Sequence, residues 1–133
     1  MKGRAMTDAS ITFRKTMTTA EQALYTGISG NLHPLYVNDI HAHSVSGGGM
    51  IVFELAIASL ATTAFAEIGG SGRRLASLSL EFPSPARIGD TVKATVESAG
   101  ETEGRLTTRI LCTLEDGTLV AQGQADLVAV AKD

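Results

Sequence analysis

Gly47-Gly-Gly-Met50-Ile-Val-Phe-Glu-Leu-Ala-Ile-Ala-Ser-Leu-Ala-Thr-Thr-Ala-Phe-Ala-Glu-Ile68-Gly-Gly70 decides the fold. Between the glycines lies a run rich in Ala and Leu, without Pro or Gly and too long for an ordinary strand, which predicts a helix over 50–68. Glycine after Ile68 is a C-cap signal. Apolar residues lie all round the axis, so the helix is expected at the centre of the molecule rather than on its surface. Its length approaches that of a membrane span. Glu54, Ser59, Thr62 and Thr63 interrupt it, however, and no Lys or Arg cluster flanks it. A buried helix wrapped by a sheet is the expectation.

Working outward, the C-terminal side supplies the sheet. Ala76, Leu78, Leu80 and Phe82 alternate with polar residues as in a half-buried strand, and Pro83 and Pro85 stop it. Ile88-Gly89-Asp90 reads as a turn, followed by alternation at Val92, Ala94 and Val96. Gly100 to Gly104 reads as a polar hairpin loop. Leu106, Thr108, Ile110, Cys112 and Leu114 line one face of the next strand, and Asp116-Gly117 turns the chain into a last strand over Leu119 to Val130. On the N-terminal side, Ile11 to Met17 alternates as a first strand. Thr18-Thr-Ala-Glu21 matches a capping box that opens a short helix through Tyr25 or Gly27, with Ala20, Leu24 and Ile28 as its inner face. Asn31 to Ser46 shows no lasting period and is expected to be a long functional loop. The order strand, helices, then four antiparallel strands gives an α+β domain over 11–133, preceded by a loose tail over 1–10. That tail has no apolar segment and does not read as a signal peptide.

Composition narrows the function. The chain has 133 residues, 44% hydrophobic and 19% charged, enough for one domain with its own core. A net charge of −3 gives no basic footprint for nucleic acid. The single Cys112 excludes an internal disulfide, points to the cytoplasm and, in its apolar alternation, reads as an inert core thiol.

Three short stretches carry a resemblance. Ser29-Gly30-Asn31-Leu32-His33-Pro34-Leu35-Tyr36-Val37-Asn38 resembles the motif Ser-Gly-Asp-x-Asn-Pro-x-His-x-Asp of the MaoC-like (R)-specific enoyl-CoA hydratases and dehydratases. Gly48-Gly49-Met50 resembles the family's His-Gly-Met at the start of the central helix. Pro85 to Val92 resembles its Pro-x-x-x-Gly-Asp-x-Val turn. Order and spacing agree over roughly 11–130, with a loop shortened between Asn38 and Gly47. The resemblance implies a single hot-dog domain, an antiparallel sheet round a long helix. It also implies an acyl-CoA or acyl-carrier-protein thioester as substrate, no redox or metal cofactor, and a homodimer. In the family the motif's Asp and His are the acid-base pair that adds water to an enoyl thioester. Here those positions hold Asn31 and Tyr36. Asn takes no proton, and a phenol titrates near about 10.

The other candidates keep alternative readings open. Imidazole is the side chain that ordinarily titrates near neutrality, so His33 is either a replacement base with Tyr36 as acid, or a loop residue extended before Pro34. The resemblance implies that Gly49 donates its N–H to the thioester carbonyl as an oxyanion donor at a helix N-terminus. Otherwise the glycines only turn the chain. Ser46, Gly48 and Met50 flank this point as substrate-contacting candidates, with Ser46 also a helix cap. Glu54 lies a little over one turn into the expected helix, where thioesterases of this fold carry a carboxylate, or it faces solvent or a partner. Asp39, His41 and His43 alternate as metal ligands would on an extended strand, but no second cluster completes a site. Arg73, Arg74 and Arg87 either meet CoA phosphates or are solvated charges. Three functions compete: a hydratase or dehydratase with a remodelled site, a thioesterase using Glu54 or His33, and a non-catalytic acyl-thioester-binding member or subunit.

Overall fold

The computed structural model describes residues 9–130. Its elements are β1 (Ser10–Thr16), α1 (Thr19–Ser29), α2 (Pro34–Val37), α3 (Asp39–Ser46), α4 (Glu54–Gly69), β2 (Arg73–Glu81), β3 (Thr91–Thr102), β4 (Arg105–Leu114) and β5 (Leu119–Ala129). One five-stranded antiparallel sheet has the order β1-β3-β4-β5-β2 and curls round α4. This is the α+β hot-dog architecture. Residues 1–8 of the expected tail lie outside the described residues, and Ser10 already pairs with Glu97 in the sheet.

The core forms where α4 meets the inner sheet face. Ile57, Leu60, Ala61, Ala64, Phe65 and Ile68 bury against Val92, Val96, Leu106, Ile110, Cys112, Val120 and Leu127. The alternation read from β3 and β4 therefore falls on the covered side, and Cys112 is buried as expected. Burial pushes its thiol up to about 11, which keeps it protonated and unreactive at neutral pH. Not all of α4 is covered: Leu55, Thr62 and Ala66 form an exposed stripe along one flank.

Five expectations are corrected. The central helix begins at Glu54, not Met50. Ile51 and Val52 are β-branched and extended, with Ile51 bridged to Arg87. Ile51 N–H goes to Leu35 O at 3.0 Å and Val52 N–H to Ala86 O at 2.8 Å, so a helix there would lose those partners. The presumed long loop contains α2 and α3. His33 caps α2 with Pro34 at its first turn, and Asn38 and Gly47 cap α3 at its two ends. On α1 the capping box is present, but Ala20, Leu24 and Ile28 are exposed, and Gln22 and Tyr25 face inward. β2 is an edge strand with most of its residues exposed, Leu78 among them, and its register shifts between Leu75 and Ser77. The Gly100–Gly104 loop is a tight turn at Glu103 and Gly104, both at positive φ (53° and 80°), with β3 continuing through a bulge between Ser98 and Gly100.

Candidate active site

The site is built where α1, α2 and the segment Met50–Phe53 meet. Gln22, only 4% exposed, reaches out of α1 to join them. Its amide donates to Tyr36 O at 2.9 Å and Ile51 O at 2.8 Å, and its carbonyl accepts Phe53 N–H at 3.3 Å. All three backbone groups are thereby satisfied by one side chain. Sequence reasoning missed Gln22, because its signal is not periodicity but a lone buried amide on a short helix.

Tyr36 hangs from this frame. Its ring stacks on Phe53 at 4.4 Å and 17°, His33 meets it edge-on at 5.8 Å, and its hydroxyl donates to Glu54 Oε1 at 2.7 Å. Burial first, then the Glu54 bond and charge, push the Tyr36 phenol up to about 12. Glu54 is the first residue of α4, and Tyr36 is held to it across the aromatic stack. Tyr36 also lines a cleft of about 270 Å³ with Thr19, Gln22, Thr26, Leu32, Val37 and Met50. A larger concavity of about 590 Å³ lies on the outer sheet face, among Ser79, Glu81, Thr95, Arg109 and Gln122. Arg109 there is paired with Glu97 at 3.6 Å and no motif residue lines it, whereas Leu32, Tyr36, Val37 and Met50 line the smaller cleft, which is the candidate site.

The other motif residues shape the loop. Asn31 Oδ1 accepts His33 N–H at 2.9 Å, and Asn31 itself is exposed. His33 Nδ1 accepts Leu35 N–H at 3.1 Å, which leaves Nε2 as its remaining nitrogen.

The glycine run does not open the central helix. Gly47, at φ 75°, ends α3, and Met50–Phe53 separates Gly49 from α4. Ser46 is the last residue of α3 and donates to Ala42 O at 2.6 Å, so it caps no central helix. Arg87 closes this corner: its guanidinium reaches Ser46 Oγ at 3.0 Å, Ser46 O at 3.1 Å and Gly49 O at 2.7 Å. It passes where a side chain at 48 would stand, since a Cβ on Gly48 would lie 2.6 Å from its Cζ. Arg87 is therefore a structural group and not a solvated charge. Arg73 likewise pairs with Glu101 at 2.5 Å, and Arg74 bonds Leu75 O at 3.4 Å. Asp39, His41 and His43 lie on a helix rather than a strand. Residues two apart therefore point about 200° apart, and His41 does not converge with the other two. No metal-holding group occurs among the described residues.

The MaoC like domain model matches residues 4–118. The chain belongs to the MaoC-like family. Within it, an (R)-specific enoyl-CoA hydratase of Rhodospirillum rubrum is 31% identical over 130 residues, covering 92% of this chain and 87% of the relative. A 3-hydroxybutyryl-CoA dehydratase of Methylorubrum extorquens is 28% identical over 120 residues, covering 90% and 76%. Among solved structures, the (R)-hydratase from A. caviae involved in PHA biosynthesis superposes with a TM-score of 0.88 at 24% identity, over 93% of this chain and 96% of that one. That likeness shows the MaoC-like chain to have the same fold. No helix among its described residues is long and apolar enough to cross a membrane.

Proposed function

We propose that this MaoC-like chain adds water to, or removes it from, an enoyl or 3-hydroxyacyl thioester of CoA or acyl carrier protein. The observation that carries the reading is the 2.7 Å bond from Tyr36 hydroxyl to Glu54 carboxylate beside the cleft. It sets a proton donor and a proton acceptor side by side at the motif position where the family resemblance places a catalytic imidazole. Glu54 takes the proton of the attacking water, and Tyr36 holds and orients the carboxylate. Gly49 N–H, which has no acceptor among the described residues, receives the thioester oxygen. Met50, Leu32 and Val37 give the acyl chain its apolar wall. Asn31 and His33 build the loop, and Ser46 and Gly48 seat Arg87. The lone buried Cys112 suits a cytoplasmic enzyme.

The test is hydration of crotonyl-CoA, with thiol release followed in the same sample. The reading expects hydration without thiol release, lowered about 100-fold or more in Glu54→Gln. A thioesterase is the second reading, favoured by a carboxylate on the central helix. Thiol release without hydration would establish it. Acyl-CoA binding with neither reaction would leave a non-catalytic member.

Homodimerisation belongs to the same proposal. The flank of α4 is open, with Leu55 exposed at 70%, β2 is an edge strand, and Leu24, Ile28 and Ile40 are exposed at 65%, 79% and 83%. Surfaces of this kind need cover.

A further inference from the structure

Beside the glycine corner, Asp39 and His43 face one another across one turn of α3. His43 Nδ1 lies 2.9 Å from Asp39 O and 3.4 Å from Asp39 Oδ2. Both neighbours are acceptors, so Nδ1 carries a hydrogen and Nε2 is the nitrogen left free. Asp39 is itself fixed, because its Oδ1 accepts Met50 N–H at 3.3 Å. A Cβ built on Gly49 would lie 3.1 Å from Asp39 Oδ1 and 3.8 Å from His43 Cε1, so the imidazole edge adjoins Gly49. The His43 side chain is 58% exposed and open to a ligand.

We propose that His43 exchanges the proton at Cα of the acyl thioester and that Asp39 is its positioning residue. The assignment rests on the thioester reading above. A carbonyl oxygen on Gly49 N–H puts Cα two bonds away from that oxygen, next to the residue that His43 adjoins. Glu54, at the far end of Met50–Phe53, is assigned to Cβ. During hydration Glu54 removes a proton from water as the oxygen lone pair bonds to Cβ. The Cα=Cβ electrons shift through the carbonyl carbon onto oxygen, giving an enolate held by Gly49 N–H. The enolate then takes the Nε2 proton of the His43 imidazolium at Cα. In the reverse direction neutral Nε2 removes the α-proton, the electron pair re-forms the double bond, and hydroxide leaves with the Glu54 proton. No oxidant, reductant or metal enters the balance.

Two reactions separate the groups: hydration of crotonyl-CoA, and exchange of the α-hydrogens of (R)-3-hydroxybutyryl-CoA in D₂O followed by NMR. His43→Gln is expected to lower kcat for hydration about 100-fold or more, with KM within about twofold, and to abolish α-exchange. Asp39→Asn is expected to lose about 10-fold in both, because it releases the imidazole without removing it. Glu54→Gln is expected to keep α-exchange while losing hydration, and His41→Gln, on the other side of α3, to keep both. An active wild type with a fully active His43→Gln overturns the assignment alone. A wild type that neither hydrates nor exchanges overturns the thioester reading and the assignment with it.

Discussion

Gln22 and Tyr36 show how one polar side chain and one aromatic ring set the site. Replacing Gln22 with Leu keeps the volume but leaves Tyr36 O, Ile51 O and Phe53 N–H without their buried partner. An expected loss of about 2–4 kcal/mol follows from unpaired buried backbone groups, read as a lowered urea midpoint with unchanged slope. Tyr36 makes a pH prediction. Its folded pKa of about 12 lies above the ordinary phenol value, so the folded chain holds that proton more tightly than the unfolded one. The stability it contributes is whole below about pH 10 and is lost as pH climbs to about 12. Unfolding midpoints measured across that window are expected to fall more steeply for wild type than for Tyr36→Phe; parallel profiles would refute it. At this scale the sequence named Tyr36, Glu54 and Gly49 as candidates but not their company. Gln22 and the Asp39–His43 contact depend on turns of α1 and α3 that a polar pattern does not announce.

Among the elements, those with strong local chemistry were legible in advance. The Thr18–Glu21 capping box forms with both of its reciprocal bonds, and Asp116-Gly117 turns β4 into β5. α2 and α3 escaped because they are four and eight residues long and bury one residue between them, Ala42. Their caps at His33, Asn38 and Gly47 were the available signal. The start of α4 is not legible from composition, because the run without Pro or Gly extends through Met50–Phe53, where tertiary hydrogen bonds to Leu35 and Ala86 win. The sheet offers its own prediction at Gly123 of β5. A Cβ there would lie 1.9 Å from Ser79 O, so β2 reaches its place only against a bare backbone. Gly123→Ala is expected to cost about 1–3 kcal/mol through overpacking, with faster amide exchange in β2 and little change in β1; uniform exchange across the sheet would contradict it.

For the whole molecule, the question is what covers the open flank of α4 and the β2 edge. A sheet wrapped round one helix leaves both exposed, and a second copy about a two-fold axis would cover them. Light scattering is expected to give twice the chain mass. Leu55→Asp together with Ile28→Asp is expected to shift it toward one chain mass, with secondary structure retained by circular dichroism. A wild type of single-chain mass would sink the homodimer.

Arg87 ties the turn before β3 to the carbonyls of Ser46 and Gly49, and its guanidinium occupies the space over Gly48. Across relatives, this sets two positions in competition. A chain that carries a side chain such as His where this one has Gly48 must turn an arginine at the position of Arg87 aside, at the cost of its bonds to Ser46 and Gly49. The pair should therefore have changed together in descent, and an alignment rich in sequences keeping both would show that the corner is not built this way.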